Sequence, residues 1–251
     1  MLLSIEEIIQ QSWKNYLKTY RQFLPFLTVL LGGFIIRYFL GFAGLYLGAY
    51  TRLSDLSVDL TTTLIIAALS FLGIWTSFAI IKTTQLILKN QPLPTFKEGY
   101  INTAHYIIPT FLLSLLVALA IFVGSILFLI PGIIFAIWYY FVNYAIVFED
   151  QTNLSSLKTS KQLIVGRWFS MAFRIVLPKL VFLIGVYILN ITFQYLIIKI
   201  FNPSVIKIEL LVPLISGIFA TLTLPLFIWS DTILYFNAKE NPVSTILPIS
   251  K

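Results

Sequence analysis

The sequence contains no cysteine and a single histidine, His105, and only 11% of its residues are charged. Without cysteine there is no disulfide, no thiolate nucleophile and no cysteine-based metal site. His105 has no second type of ligand placed to share a metal with it, so we interpret it as a solvated polar residue. No Ser-His pair, carboxylate cluster or glycine-rich phosphate loop is recognisable. The sequence therefore predicts a protein that is not an enzyme, with no catalytic residue, no metal site and no cofactor.

Charge is also missing from long stretches of the chain. Residues 106–148 carry no charged side chain, 59% of all residues are hydrophobic, and the mean hydropathy is +0.92. These values are typical of an integral membrane protein. The apolar runs are continuous and do not alternate with period two, which favours membrane helices over a β-barrel. The predicted fold class is an all-α integral membrane protein.

Six transmembrane helices are predicted from the lengths of the apolar runs. The run 106–148 would be about 65 Å long as one helix, roughly twice the ~30 Å hydrocarbon core. Leu129-Ile130-Pro131-Gly132 divides it, since a proline at the first position of a helix has no intrahelical bond to lose. We therefore predict two spans and a very tight turn, with Pro131 and Gly132 in structural roles. The other four spans are residues 23–50, 60–88, about 169–200, and 210–236.

Residues 1–22 do not resemble a cleavable signal peptide, because they mix polar and apolar residues and lack a compact apolar region. Residues 4–20 instead have the pattern of an amphipathic helix lying in the interface. A capping box, in which Ser4 and Glu7 satisfy each other's backbone N–H groups, is expected at its start. This helix would anchor the first span, or alternatively form a docking surface for a partner.

Two further cytoplasmic interfacial amphipathic helices are expected. One begins with a second capping box at Thr95 and Glu98, and the other begins after a cap at Asn153 or Ser155. Each of the three surface helices is followed by two spans. We therefore predict a single polytopic domain, residues 1–251, built from three repeats of a surface helix and a transmembrane hairpin, with approximate units 1–90, 91–150 and 151–251.

The distribution of lysine and arginine predicts the orientation. Twelve of them fall on one side and three, Arg52, Lys199 and Lys207, on the other. This places both termini and all three surface helices on the cytoplasmic side of the membrane. The basic residues do not cluster, so we expect no nucleic-acid partner. Anionic lipid headgroups are the expected partners. The candidate contacts with lipid or with a protein partner are Lys14, Lys18, Lys97, Lys158 and Lys161.

A few polar residues lie within the predicted spans, and these are candidate intramembrane contacts. Arg37 either reaches the outer headgroups or forms an ion pair or ligand contact inside the bundle. Asn190 and Gln194 are expected to hydrogen-bond across helices. Asp231 is expected to pair with a cation, for which Lys82, Lys179 and Arg174 are the nearest candidates.

Glu149 and Asp150 follow the fourth span, where the helix dipole disfavours carboxylates. We expect them to be structural and paired with cations, or alternatively to have a catalytic or ion-coupling role. The nearby cations in sequence are Lys158, Lys161, Arg167 and Arg174.

Residues 124–167, GSILFLIPGIIFAIWYYFVNYAIVFEDQTNLSSLKTSKQLIVGR, combine an apolar run into Ile-Pro-Gly, an aromatic span ending in acidic residues, and a helix ending in Gly-Arg. This pattern resembles the membrane domain of some bacterial glycerophosphodiester phosphodiesterases and its stand-alone integral membrane relatives of unknown function. The resemblance implies a bacterial membrane module. The hydrolase activity of the fused members belongs to a separate soluble domain, whose metal-binding motifs this chain does not match.

Two functions from different classes are compatible with the sequence. The first is a non-enzymatic polytopic membrane module that binds lipid or partner proteins through its cytoplasmic surface helices. The alternative is a small transporter or channel that uses Arg37, Asp231, Asn190 and Gln194 along a path. A path requires these side chains to converge on one water-accessible cavity, and their different estimated depths favour the first function.

Overall fold

The computed structural model describes the backbone of residues 1–50, 56–201 and 205–242, and their side chains except at 42–50, 56–59, 127, 201 and 205–210. All regular elements in these ranges are helical. The α-helices are α1 Ile5–Tyr50, α2 Leu56–Leu88, α3 Phe96–Ile101, α4 Ile107–Leu127, α5 Leu129–Trp138, α6 Val142–Glu149, α7 Ser155–Ile164, α8 Trp168–Phe201 and α9 Val205–Glu240, with a 3₁₀ turn at Ala104–Tyr106.

Within the described residues, six helical segments are long and apolar enough to cross a bilayer, which confirms the all-α class and indicates a multi-pass membrane protein. They agree with the predicted runs and extend several of them. The segments are Ile5–Gly41, Leu60–Leu88, Phe96–Ile126, Leu129–Glu149, Trp168–Ile200 and Leu211–Glu240.

The first surface helix and the first span are one continuous helix, α1, with Pro25 inside it. The boundary that the sequence predicts near residue 20 is therefore wrong. The predicted capping box at its start is present: the Glu7 carboxylate accepts from the Ser4 N–H at 2.7 Å, and Ser4 Oγ accepts from the Glu7 N–H at 3.2 Å. Thr95 and Glu98 form the same box before α3.

The first half of α1 turns a partly polar face toward the protein. Ser12 and Thr19 are buried, and Thr19 Oγ1 accepts from the Trp229 indole N–H of α9 at 3.2 Å. Trp13 and Leu17 are exposed. The apolar face predicted for the interface is thus split, since its residues Ile8 and Tyr16 pack inward whereas Trp13 and Leu17 point away from the bundle.

The α4–α5 connection is as tight as the sequence predicts, because Phe128 is the only residue between the two helices. Pro131 is the third residue of α5 and not the first, but it still lies in the first turn, where N–H groups have no intrahelical acceptor. A Cβ on Gly132 would lie 2.0 Å from Ser125 Oγ, and one on Gly124 would lie 2.9 Å from the Phe135 ring. The two glycines therefore permit the close approach of α4 and α5.

The span that returns from this hairpin is broken at Tyr139–Phe141, between α5 and α6. Backbone groups freed inside a membrane protein need partners within the protein. Ser160 of α7 supplies them, since its hydroxyl donates to the Trp138 carbonyl at 2.8 Å and accepts from the Phe141 N–H at 3.1 Å. Residue 160 is fully buried, so α7 packs onto the break.

The well-packed core lies at one end of the bundle, which we call the terminal end. There the Leu3 N–H donates to Asn237 Oδ1 at 2.8 Å, so the start of the chain contacts the end of α9. Arg167 ties the start of α8 to the same place by donating to the Ala238 carbonyl at 2.7 Å. α6 and the last third of α9 make the largest contributions to the buried apolar core, with α2 and α7 packed around them.

The tip of the α4–α5 hairpin lies against the start of α8. Ile130 and Ile133 of α5 line the same groove as Trp168 and Phe169, the first two residues of α8. At the other end of the hairpin, His105 contacts Asp150, which follows α6. The start of α5 therefore lies beside the start of α8, and the segment before α4 contacts the residue that follows α6.

Candidate functional site

The break between α5 and α6 brings two tyrosines to Asp231. Asp231 Oδ2 accepts from the hydroxyl of Tyr140 at 2.8 Å and from that of Tyr144 at 2.9 Å. Lys179 of α8 donates to Asp231 Oδ1 and lies 4.7 Å from the centre of the Tyr140 ring. These four residues, which we call the polar cluster, join α8 and α9 to the broken span.

The polar cluster is largely buried. The side chain of Asp231 is 7% exposed and that of Lys179 is 21% exposed. The carboxylate has a cation and two hydroxyl donors, and burial of an ion pair is tolerable when its remaining hydrogen-bonding groups are satisfied in this way. Lys179 is one of the three partners that the sequence suggests for Asp231. Tyr140 and Tyr144 were not predicted, although their spacing of four residues could have indicated one helix face.

Glu149 and Asp150 are both paired, but not with the cations nearest in sequence. Lys239 and the Tyr235 hydroxyl of α9 donate to Glu149 Oε1, the hydroxyl at 3.0 Å. Asp150 Oδ1 lies 3.1 Å from His105 Nε2. That hydrogen bond, with a second one from the Tyr106 hydroxyl, lowers the pKa of Asp150 below its usual value.

Three of the four cations proposed for those carboxylates have other partners. Arg167 and Arg174 donate to backbone carbonyls, Arg167 at the end of α9 and Arg174 to Leu3 at 2.7 Å. Lys161 lies over the ring of Trp138, with Nζ 4.4 Å from its centre. The pairing of Glu149 and Asp150 with residues of α7 and α8 is therefore wrong, because α9 and the segment before α4 lie closer to the end of α6.

Lys82 and Gln85 of α2 cap the C-terminal end of α6. They donate to the carbonyls of Val147 and Phe148, at 3.4 Å and 2.9 Å. A cation at the end of a helix also interacts favourably with the helix dipole. Lys82 is therefore a helix cap and not the partner of Asp231.

The other intramembrane polar residues lie in separate places. Asn190 Nδ2 donates to Ser216 Oγ of α9 at 2.9 Å, and Gln194 donates to Asn190 Oδ1, so the amides hydrogen-bond across helices as predicted. Ser216 is about 22 Å along α9 from Asp231. Arg37 is exposed and lines a cavity of about 200 Å³ with residues of α1 and α2. No ion pair of Arg37 occurs among the residues with described side chains.

An apolar groove of about 490 Å³ lies beside the broken span. Its walls come from α5, from the turn between α7 and α8, and from the start of α8. The lining residues are Ile130, Ile133, Ile134, Trp138, Val165, Gly166, Trp168 and Phe169. The buried indole N–H of Trp168 has no hydrogen-bond acceptor among the described residues. We will call this cavity the α5–α8 groove.

The five lysines proposed from the sequence as lipid or partner contacts are all exposed. None of them forms an ion pair with a carboxylate in the described part of the chain. Exposed apolar side chains accompany them: Trp13 and Leu17 on α1, Phe96 before Lys97, and Leu154 before α7. Lys161 lies beside the α5–α8 groove, because the ring of Trp138 under it is also part of the groove wall.

Comparison of the chain with protein-family models, with curated proteins and with solved structures found no match.

Proposed function

We propose that this protein is a non-enzymatic multi-pass membrane module that binds anionic lipid through its cytoplasmic face. The observation that carries the proposal is that the cations fall into two groups, those engaged by other residues of the protein and those exposed at its surface. Lys82, Arg167, Arg174 and Lys239 are engaged by carbonyls or by Glu149. The five exposed lysines lack a carboxylate partner in the described structure and are available for external anions.

The side chains around these lysines support lipid over a soluble anion as the ligand. Trp13 is 49% exposed and Leu17 is 53% exposed, and both lie within one turn of Lys14 on α1. Tryptophan beside basic residues is typical of the boundary between hydrocarbon and headgroups. Each lysine near an anionic surface contributes about 1 kcal/mol, and salt screens this contribution within a Debye length.

Part of the proposal concerns topology. We propose that the terminal end of the bundle faces the bacterial cytoplasm, that α3, α7 and the first part of α1 lie at that surface, and that the chain has three related units. The resemblance of residues 124–167 to the membrane domain of glycerophosphodiester phosphodiesterases supports a bacterial inner membrane. A cysteine introduced at Gln91 should react with a membrane-impermeant reagent only from the cytoplasm, and one at Ser57 only from outside. The opposite labelling pattern would refute the orientation.

The alternative of a small transporter has less support. A path would need Arg37, Asp231, Asn190 and Gln194 around one cavity. Asp231 is instead closed off by Lys179 and two tyrosines, whereas Asn190 and Gln194 bond to Ser216 farther along α9. Arg37 lines a cavity formed by α1 and α2.

The lipid proposal is tested by changing the five lysines together. Glutamine at all five positions should strongly reduce retention of phosphatidylglycerol or cardiolipin by the purified protein at low salt, and should flatten the dependence of retention on salt. Arginine at the same five positions is the matched control, because it keeps the charge. A second control replaces Lys199 and Lys207, which the charge count assigns to the opposite side.

Retention that matches the unmodified protein at every salt concentration would overturn the lipid proposal, and the lysines would then be topology signals only. The module could instead bind a cytoplasmic or membrane protein through the same surface helices. Such binding would depend less on the charge of the lipid.

A further inference from the structure

We infer that the α5–α8 groove is a specific site for one anionic phospholipid, with an acyl chain in the groove and the phosphate beside Lys161. The inference rests on the proposed lipid-binding function and goes further by naming the site and the chemical class of its occupant. It concerns one stoichiometric lipid, in addition to the diffuse attraction of the other lysines.

The shape and lining of the groove fit a hydrocarbon chain. Its volume of about 490 Å³ falls within the ~300–1,000 Å³ that is typical of small-molecule sites. The eight lining residues include no charged side chain, and five of them are isoleucine, valine or phenylalanine. A polar metabolite would lose its hydration here without gaining hydrogen bonds.

The location of the groove supports a lipid as the occupant. Two of its three walls belong to segments long and apolar enough to lie in a membrane, Leu129–Glu149 and Trp168–Ile200. The groove also lies near the terminal end, because Arg167, directly before its wall residue Trp168, donates to the Ala238 carbonyl at 2.7 Å. An occupant can therefore enter from the bilayer and keep its headgroup at the headgroup layer.

One group beside the groove, the Lys161 ammonium, complements an anionic headgroup. Lys161 Nζ is held 4.4 Å from the centre of the Trp138 ring, so a positive charge is fixed at one wall. A zwitterionic lipid would gain less from Lys161, because its own ammonium group offsets the attraction.

The site can be tested by native mass spectrometry of the purified full-length chain, titrated with phosphatidylglycerol or with phosphatidylcholine of the same acyl composition. The unmodified protein should show one phosphatidylglycerol that binds at lower concentration than all others. Lys161→Gln should weaken this first binding about fivefold, the effect of one basic residue near an anionic headgroup.

The groove itself is tested by filling it. Ile134→Trp should abolish the first, tight phosphatidylglycerol and leave weaker binding unchanged. Ile126→Trp, on an exposed position of α4 that does not line the groove, is the matched control and should bind normally. Lys161→Gln changes an exposed residue, so it gives an answer even if the filled variant fails to fold.

The outcomes separate the two proposals. If the five-lysine variant loses phosphatidylglycerol but Ile134→Trp and Lys161→Gln each bind it like the unmodified protein, the groove inference is wrong and the general lipid proposal stands. If the unmodified protein binds both lipids equally and without a distinct first step, both are wrong. If phosphatidylcholine binds in the first step as tightly as phosphatidylglycerol, the role given to Lys161 is wrong.

Discussion

Removing the charge of Lys179 should destabilise the protein by about 3 kcal/mol, near the low end of the ~3–5 kcal/mol found when one partner of a buried ion pair is lost. Asp231 is only 7% exposed, so its carboxylate would remain in a low-dielectric environment without a counter-ion. The hydroxyls of Tyr140 and Tyr144 would still donate to it, which is why the low end is expected. Methionine suits the test, because it has nearly the shape of lysine and no charge.

The same reasoning predicts strong coupling between the two charges. Asp231→Asn alone leaves Lys179 without its counter-ion, whereas Lys179→Met with Asp231→Asn leaves no buried charge. The double variant should therefore be at least about 2 kcal/mol more stable than the sum of the single effects predicts. The assay is the free energy of unfolding in detergent micelles titrated with sodium dodecyl sulphate. Lys199→Met, at an exposed position of the same helix, is the control. Additive single effects, or a loss below about 1 kcal/mol for Lys179→Met, would refute this account of the polar cluster.

Two further predictions concern stability. A Cβ on Gly217 would lie 1.9 Å from Phe34 Cζ, so Gly217→Ala should cost about 1–3 kcal/mol by overpacking, whereas Gly185→Ala, with nothing within 4 Å, should not destabilise. Thermal unfolding in detergent checks both, and a smaller side chain at Phe34 should restore Gly217→Ala. The second concerns pH. Hydrogen bonds with His105 and Tyr106 lower the pKa of Asp150, so the ionised carboxylate contributes its full stabilisation of the folded protein above its unfolded-state pKa of about 3.9. This stabilisation is lost as the pH falls through the lower folded-state pKa. Asp150→Asn should reduce the loss of stability between about pH 5 and pH 2, and an unchanged acid profile would contradict this.

The features of the fold that were predictable have local chemical causes. Ser4 with Glu7 and Thr95 with Glu98 are capping boxes, which depend on residues three positions apart. The tight turn at Phe128 follows from an apolar run too long for one span and from the position of Pro131. The six apolar helices follow from composition alone.

The break at Tyr139–Phe141 could not be predicted, because the sequence there contains no proline or glycine. It depends on a tertiary contact, since Ser160, about twenty residues later, satisfies the freed backbone groups of Trp138 and Phe141. Serine in a short amphipathic helix gives no local signal of that role. The continuity of α1 was missed for a related reason: a polar face suggests a separate surface helix, but Ser12 and Thr19 are buried against the protein.

The candidate site was predictable in part. The intramembrane Asp231 indicates a nearby cation, and exposed lysines beside aromatic residues indicate a headgroup layer. The true partners of Glu149 and Asp150 were not predictable, because Lys239 and His105 are distant in sequence and reach the end of α6 only in the folded bundle. The α5–α8 groove has no sequence signal, since its walls come from α5 and from the turn that leads into α8, which are distant in sequence and meet only in the fold.

The central claim is that the exposed lysines select anionic lipid, and lipid competition tests it most directly. The protein, reconstituted in nanodiscs of equal phosphatidylglycerol and phosphatidylcholine, would be extracted into detergent at low salt, and its retained lipid quantified by mass spectrometry. We predict an excess of phosphatidylglycerol that disappears when Lys14, Lys18, Lys97, Lys158 and Lys161 are glutamine and persists when they are arginine. Equal retention of both lipids by the unmodified protein would contradict the claim.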